Sequence, residues 1–387
     1  MNDSFQFPEK QNFRLCIGFC FCFKLFSLSI LILIVSSGCQ PKWDIDNPYN
    51  DVDWANHKQY KAEFHAHTTR SDGSMNPHSV VDMYHQNGYH ILAISDHDRV
   101  TYPWESFSEM EPSDLAVIRM EYGLSGMEPE SSRYRPRDIH LLNDDLVFES
   151  RDPSGMGMVS IMGNEISDGQ HDMLSYFNDY KSSPNTEEES LKATAAKNGL
   201  TMFAHPGRYN YSIEWYLDFY ERYDHLIGLE LYNRGLPRCS EIWDSLLMKM
   251  MPERPVWGLS NNDMHTPGHF GRNWNVFILP ELSKEWVRKG MEQGRFFFVY
   301  ASDGRHDRPA SPPVIESIEV NARRGEINIR AIDQDSVVWI SGGRNIYKGN
   351  KINLNEFPEI NGYVRAVVYK DEGTTLVGTQ PFGIDRF

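Results

Sequence analysis

The chain has 387 residues, enough for one large domain and a smaller one around a substantial buried core. Hydrophobic residues at 40% and aromatic residues at 13% exclude an intrinsically disordered protein. The formal net charge of −16 excludes broad, non-specific nucleic-acid binding, which requires a basic face, so we expect no nucleic-acid partner. An anionic substrate is not excluded, because bound cations can dominate the field inside a pocket.

The first 39 residues carry the pattern of a signal peptide. Lys24 precedes the apolar stretch 25–35, which is too short for a typical membrane span, and small residues then lead to Gly38 and Cys39. This order resembles the bacterial lipoprotein signal, in which the cysteine is acylated and becomes the new N-terminus. It implies a membrane partner through a lipid anchor on Cys39 and a location at the cell envelope. Plain secretion and an uncleaved membrane anchor are the alternatives.

Cysteine usage limits what can bind a metal ion. Only Cys239 lies beyond Cys39, so the mature chain has no internal disulfide framework and no cluster of thiolates. Any metal must therefore be bound by histidine and carboxylate side chains.

After the signal, residues 40–58 are polar and rich in Asp, Asn and Pro, and we expect a tether. From Tyr60 onward short apolar runs alternate with amphipathic stretches, which favours a parallel sheet or an αβ barrel. The predicted strands are 62–67, 90–96, 159–166, 200–205, 227–231 and 256–261. The predicted helices include 77–87, 186–198 and 240–250.

Two segments depart from this alternation. Residues 102–158 are rich in Glu, Pro, Ser and Arg, and we predict an insertion over the mouth of a barrel that spans 59–310. Beyond a linker at 303–313, apolar and polar residues alternate between turn signals such as Gly342-Gly343. This pattern predicts a small antiparallel β-domain over 312–387.

Histidine and carboxylate residues recur where the predicted strands end. His65 and His67 are two positions apart, so both side chains leave the same face of a strand and can meet one metal ion. The carboxyl ends of barrel strands lie at one face of the fold, where such sites are found. The candidate metal ligands are His65, His67, Asp72, His97, Glu165, His171, His205, Asp263 and His265. Imidazole and carboxylate ligands without sulfur suit Zn, Mn or Fe.

The motifs H-x-H, S-D-G, S-D-H, G-x-E, a following His, A-H-P and D-x-H occur in this order over residues 60–302. Together they resemble the PHP (polymerase and histidinol phosphatase) family. The resemblance implies a distorted (β/α)7 barrel, three divalent metal ions at the C-terminal strand ends, and hydrolysis of phosphoric esters. It implies a first metal held by His65, His67, Glu165 and Asp263, a second by Glu165, His171 and His205, and a third by Asp72, His97 and His265.

A centre of this kind indicates a hydrolytic mechanism. A water that bridges two cations loses a proton near neutral pH and becomes the nucleophile. Arg208 is the first candidate for binding the phosphoryl oxygens and Arg99 the second, with a structural salt bridge as the alternative for each. Glu230, in a predicted strand, has two interpretations as well: support for a metal ligand, or a buried ion pair.

Three functions are compatible with these residues. The leading one is hydrolysis of a phosphomonoester or phosphodiester, with a small phosphorylated metabolite as substrate. The second is a metal-dependent hydrolase of a carboxylic ester or amide, because barrel metal sites support many reactions. The third is a non-catalytic binding protein of the cell envelope in which the metals are structural.

Overall fold

The computed structural model describes residues 43–106, 149–167, 169–181, 185–234, 236–237 and 239–386. The predicted signal peptide, and residues 107–148 of the predicted insertion, lie outside these ranges. The described residues belong to one compact unit of mixed α/β structure. Among them no helix has both the length and the apolar character needed to cross a membrane.

The described residues form twenty strands and five α-helices. The strands are β1 (Trp43–Asp46), β2 (Lys58–Glu63), β3 (Ile91–Ala93), β4 (Val159–Ile161), β5 (Gly163–Ile166), β6 (Met173–Tyr176), β7 (Leu200–Phe203), β8 (Leu226–Asn233), β9 (Leu236–Pro237), β10 (Trp257–Asn261), β11 (Asn273–Leu279), β12 (Phe296–Ala301), β13 (Val314–Asn321), β14 (Glu326–Ile332), β15 (Ser336–Ser341), β16 (Arg344–Lys348), β17 (Lys351–Asn353), β18 (Gly362–Lys370), β19 (Thr375–Gly378) and β20 (Phe382–Arg386). The helices are α1 (Pro77–Gln86), α2 (Glu187–Ala196), α3 (Ile213–Arg222), α4 (Ser240–Met250) and α5 (Lys284–Gln293).

The helix boundaries follow from local sequence. Helix α1 begins with Pro77, whose fixed φ and missing N–H suit the first helical position. Helix α2 begins at a capping box, in which the Thr186 side chain accepts from Glu189 N and the Glu189 side chain accepts from Thr186 N. Helix α5 ends at Gly294, which takes the left-handed conformation at φ 68°.

The strands pair into two large sheets and a small one. The first sheet has the order β1-β20-β18-β19-β12-β11-β2-β3-β4, with β15 beside β18 and β16 beside β15. The second has the order β10-β8-β7-β6-β5, with β9 beside β8. Parallel pairing joins β2 to β3, β3 to β4, β7 to β8 and β8 to β10. The mixed α/β class predicted from the sequence is confirmed.

The described strands do not close into the predicted distorted (β/α)7 barrel. Strands β10 and β11 lie side by side without a ladder, and side-chain amides bind the β10 backbone from β11 and from the segment between β19 and β20. Asn275 Nδ2 donates to Ser260 O at 2.8 Å, and Ser260 N donates to Asn275 Oδ1 at 3.0 Å. Gln380 makes the same pair of bonds with Gly258 O and N, at 2.8 and 2.9 Å. These buried amides satisfy backbone groups that a neighbouring strand would otherwise satisfy.

The described part of the predicted tether is an ordered piece of the fold. Strand β1 pairs antiparallel with β20, and Trp43 is buried. The buried Tyr49 hydroxyl donates to Phe296 O at 3.1 Å and accepts from Gln380 N at 2.8 Å. The polar composition of residues 40–58 does not indicate this ordered structure. Two large buried aromatic side chains are enough to anchor a short polar segment.

The strands beyond residue 312 are antiparallel, and most of them extend the first sheet. Strand β19 pairs with β12, and β18 and β20 follow from it, while β13, β14 and β17 form the small sheet. Gly378 of β19 lies directly over the ring of Phe298, where a Cβ atom would fall 1.9 Å from a ring carbon. The first sheet contains strands from before and after residues 310–312. The domain boundary placed at these residues therefore stays a prediction.

Candidate metal centre

Two adjacent extended segments carry four of the predicted ligands. Ala66, which follows β2, forms a parallel bridge with Met264, which follows β10, and His67 N donates to Met264 O at 2.9 Å. Alternate side chains of an extended segment share a face, so the residues that flank this bridge leave the same side. The flanking residues are His65, His67, Asp263 and His265.

A second bridge brings the ends of β3 and β5 together. It pairs His97 with Glu165 directly. Next to it, the buried Asp96 carboxylate accepts hydrogen bonds from Thr68 N at 2.7 Å and from the Thr68 hydroxyl at 2.7 Å. The acidic residue of the S-D-H motif therefore fixes the loop after the first two histidines, while the histidine of that motif faces the other ligands.

Four donor atoms converge between the two sheets, and we call them the central group: His65 Nε2, His67 Nε2, Glu165 Oε2 and Asp263 Oδ1. The nitrogen–oxygen distances among them are 3.1, 3.2, 3.3 and 3.4 Å. A tetrahedral ion bound at about 2.0–2.1 Å would place neighbouring ligands about 3.3 Å apart. His65 Nε2, His67 Nε2 and Asp263 Oδ1 are buried and take part in no hydrogen bond in the structure. Their spacing and their unmet bonding capacity fit a divalent metal ion.

The charges of the central group depend on one another. Burial lowers the pKa of His67, but the carboxylates of Asp263 and Glu165 outweigh this and raise it to about 10. Burial raises the pKa of Glu165, but His65 and His97 hold it well below its usual range. The carboxylates therefore stay ionised, and a cation can bind His67 Nε2 only after its proton has left.

An outer group contains His67, Asp72, His97 and His265, whose ligand atoms all lie within 4.8 Å of one another. Asp72 Oδ2 lies 3.1 Å from His265 Nε2, and Asp72 Oδ1 lies 3.6 Å from His97 Nε2. Although burial raises the pKa of Asp72, these two imidazoles lower it below its usual range. The three residues predicted for the third metal are thus brought together, and all three are partly exposed.

A third group contains His65, Glu165 and His205. His205 Nε2 lies 2.9 Å from Glu165 Oε1, so the glutamate contacts this group with one oxygen and the central group with the other. His205 has a left-handed backbone at φ 30°, which is rare outside glycine and asparagine and turns its side chain inward before Pro206. Two of the three residues predicted for the second metal therefore meet.

His171, the remaining residue predicted for that metal, lies outside the three groups. Its Nε2 is 3.0 Å from the Tyr216 hydroxyl and its Nδ1 is 2.8 Å from Asp172 O. Its ring stacks on Tyr209 at a centroid distance of 3.9 Å, and burial lowers its pKa to about 3. In the structure His171 is part of an aromatic cluster and is not brought together with Glu165 and His205, so its assignment as a ligand stays a prediction.

The structure distinguishes between the two interpretations of Glu230. This fully buried residue has Oε1 2.8 Å from His65 Nδ1 and accepts from Asn261 Nδ2 at 2.9 Å, while Oε2 accepts from His205 N at 2.8 Å. A carboxylate on the far nitrogen of a ligand histidine fixes its tautomer and orientation. Glu230 therefore supports two ligand residues from behind.

We expect Glu230→Gln to weaken metal binding by about 10–100-fold, because the amide cannot hold His65 as the carboxylate does. Glutamine has nearly the same shape, so the fold should persist. Titration of the purified variant with Mn or Zn measures the effect, with exposed Glu253→Gln as the matched control. An affinity equal to that of the control would show that Glu230 has no role in the centre.

Two arginines lie against the central group. Arg208 Nη2 donates to Asp263 Oδ2 at 2.6 Å and to Asn233 Oδ1 at 2.9 Å. Arg234 Nε lies 2.9 Å from the same Asp263 oxygen. The side chains of Arg208 and Arg234 are 34% and 33% exposed, so both reach the surface of the centre. Arg99, the second predicted arginine, lies half-buried in a bend two residues after His97, and its role stays a prediction.

Sequence reasoning missed Arg234. No motif marks it, and its backbone has a left-handed φ of 48° that composition does not reveal. One signal was available: it follows β8 directly, and the carboxyl end of β8 lies beside those of β7 and β10, which precede other ligands.

Comparison with known proteins finds only distant structural similarity. No family model matches the sequence, and no curated protein matches it. A structure from Bacteroides vulgatus, described as a two-domain protein containing a predicted PHP-like metal-dependent phosphoesterase, is 14% identical with a TM-score of 0.46, over 85% of this chain and 88% of that one. An amidohydrolase from Chromobacterium violaceum with bound sulfate is 14% identical with a TM-score of 0.33, over 54% of this chain and 88% of that one. Similarities this low carry no conclusion about function.

Proposed function

We propose that this protein is a metal-dependent phosphoesterase that hydrolyses a phosphomonoester or a phosphodiester at a centre of three divalent metal ions. The observation that carries the proposal is the central group, in which three buried atoms, His65 Nε2, His67 Nε2 and Asp263 Oδ1, converge without hydrogen-bond partners. The motif order that resembles the PHP family, described above, supports the same assignment. Mn, Zn and Fe all suit such a donor set.

Three or four residues would hold each ion in position. His65, His67 and Asp263 point one donor each into the central group, and Glu165 links this group to His205. Bound divalent ions supply Lewis acidity, which activates a water for hydrolysis near neutral pH. Glu230 keeps the His65 ring in place, so the donor atoms are arranged before any ion arrives.

The substrate's phosphoryl group would be bound by Arg208 and Arg234. Each guanidinium has five N–H donors, and the contacts with Asp263 use only some of them. Guanidinium donors match phosphate oxygens in shape and charge, and they stabilise negative charge as it develops on those oxygens. The two partly exposed arginines thus favour a phosphorylated substrate over a neutral ester.

The location of the enzyme is part of the proposal. The signal pattern that ends at Cys39 supports a lipid-anchored protein at the cell envelope, acting on a small phosphorylated metabolite outside the cytoplasm. Labelling of expressed protein with a fatty-acid analogue, in the wild type and in Cys39→Ser, tests the anchor independently of activity.

A substrate panel tests the activity. Purified protein loaded with Mn, Zn or Fe is assayed against an aryl phosphomonoester, linear and cyclic phosphodiesters, and an aryl carboxylic ester. We expect hydrolysis of at least one phosphoester, and its loss on chelation and in His65→Ala. Hydrolysis of the carboxylic ester alone would instead favour the acyl-hydrolase alternative. Phosphoester hydrolysis that survives both chelation and His65→Ala would refute the metal mechanism.

We expect Arg208→Lys to lower kcat/KM for the phosphoester by about 100-fold, because removal of one positioned donor to a developing charge costs 10²–10³-fold. Lysine keeps the charge but lacks the planar fork. Arg222→Lys is the matched control, since Arg222 pairs with Asp218 and Glu188 at the surface. Equal activity of the two variants would show that Arg208 does not bind the phosphoryl group of the substrate.

A further inference from the structure

We infer that Asp172, and not His171, completes the metal position formed by Glu165 and His205. The inference rests on the proposed function, because it requires that the centre binds divalent ions. Asp172 is adjacent in sequence to the histidine that the motif pattern favours, and no motif singles it out.

His171 is committed elsewhere. Both of its ring nitrogens have partners, Tyr216 and the backbone of Asp172. The ring lies parallel to Trp215 at a centroid distance of 5.7 Å and against Phe203 at 4.7 Å. Moving it into the centre would break both hydrogen bonds and leave a hole in this aromatic cluster, and both changes are unfavourable in a buried site.

Asp172 faces the centre from the same strand end. Its Oδ2 lies 3.8 Å from His205 Nε2. Two ligands of one ion, each about 2.1 Å from it, lie at most about 4.2 Å apart, so this distance suits a shared ion. The side chain is 24% exposed, which is consistent with a position at the mouth of the centre.

The contacts of the two neighbours lie on different sides. Both residues precede strand β6, which begins at Met173. The His171 ring contacts Tyr216 and Phe203, whereas the Asp172 carboxylate lies beside His205. In the structure it is therefore Asp172 that faces His205.

Tyr209 holds the Asp172 carboxylate in place. Its hydroxyl donates to Asp172 Oδ2 at 2.5 Å and accepts from Asp172 N at 3.1 Å. This reciprocal pair orients the carboxylate much as an outer partner orients a metal ligand. Tyr209 is thus a positioning residue, and the metal position it serves has two carboxylates and one imidazole.

The test compares two neighbouring variants by metal binding instead of by activity. Asp172→Asn and His171→Gln are purified, and elemental analysis and calorimetric titration with Mn give the number of ions and their affinities. We expect Asp172→Asn to lose one ion or to bind it at least 10-fold more weakly. His171→Gln should retain all ions within about 3-fold in affinity while its melting temperature falls, because it disturbs the aromatic cluster.

Tyr209→Phe provides an independent variant that keeps the ring stack. It should weaken the same ion by about 10-fold, whereas Tyr211→Phe, which loses only a contact with Gln170, should not. Loss of the ion in His171→Gln, with Asp172→Asn and Tyr209→Phe unchanged, would overturn the inference and leave the proposed function standing. A wild-type protein that binds no divalent ion would overturn both.

Discussion

Replacement of Asp244 by alanine is expected to lower the free energy of unfolding by about 3–5 kcal/mol, the usual cost of removing one partner from a buried ion pair. Asp244 in α4 accepts from Arg365 Nε at 2.8 Å and from Arg365 Nη2 at 2.7 Å. The side chains are 7% and 6% exposed. The variant would leave the Arg365 guanidinium buried without its counter-charge.

Two further contacts make this pair sensitive. The Tyr363 hydroxyl donates to Asp244 Oδ1 at 2.7 Å, and Arg365 lies over the Trp243 ring at 4.9 Å. The pair thus joins helix α4 to strand β18, and its loss should loosen the C-terminal strands from the rest of the fold.

Urea denaturation followed by circular dichroism measures the effect. The control is Glu316→Ala, which breaks an exposed pair with Arg330 and should cost less than about 1 kcal/mol. Equal unfolding midpoints for Asp244→Ala and Glu316→Ala would show that the buried pair adds nothing to stability.

The second large effect is expected for Glu165→Gln. Glu165 Oε2 lies 3.1 Å from His65 Nε2 and 3.2 Å from His67 Nε2, while Oε1 lies 2.9 Å from His205 Nε2. One carboxylate therefore serves two metal positions, and the neutral amide is a much poorer ligand for both. We expect the loss of at least one bound ion and a fall in phosphoester kcat/KM of about 10³-fold or more, comparable to removing an essential member of a catalytic unit.

Elemental analysis and steady-state assays on the same preparation measure both quantities. Glu214→Gln, at an exposed position of α3, is the control and should behave as wild type. Near-normal turnover by Glu165→Gln with a full complement of metal would contradict the bridging role.

The sequence predicts those ligands of the centre whose placement depends on local backbone geometry alone. The spacing of His65 and His67, and of Asp263 and His265, is sufficient because alternate residues of an extended segment share a face. The structure brings together all predicted ligands except His171, while metal binding itself stays a prediction. His171 lies apart because tertiary contacts with Tyr216 and Tyr209 set the orientation of a residue just before a strand, and such contacts cannot be read from the sequence.

What the sequence does not predict depends on contacts between distant segments. The Asn275 amide of β11 spans the seam to β10, and the Gln380 amide, between β19 and β20, binds the β10 backbone in the same way. Nothing in the sequence around either polar residue indicates such a role. Similarly, Trp43 and Tyr49 lie in a polar segment, and only their burial against the C-terminal part of the chain shows that it is folded. Arg234 belongs to the same class, since its contact with Asp263 joins two different strand ends.

The most direct test of the metal centre is anomalous X-ray diffraction from crystals grown with saturating Mn or Zn. We predict an anomalous peak about 2.0–2.2 Å from His65 Nε2, His67 Nε2 and Asp263 Oδ1, with further peaks beside His205 and beside His265. Crystals that show no peak among these donor atoms at saturating metal would contradict the proposed metal centre.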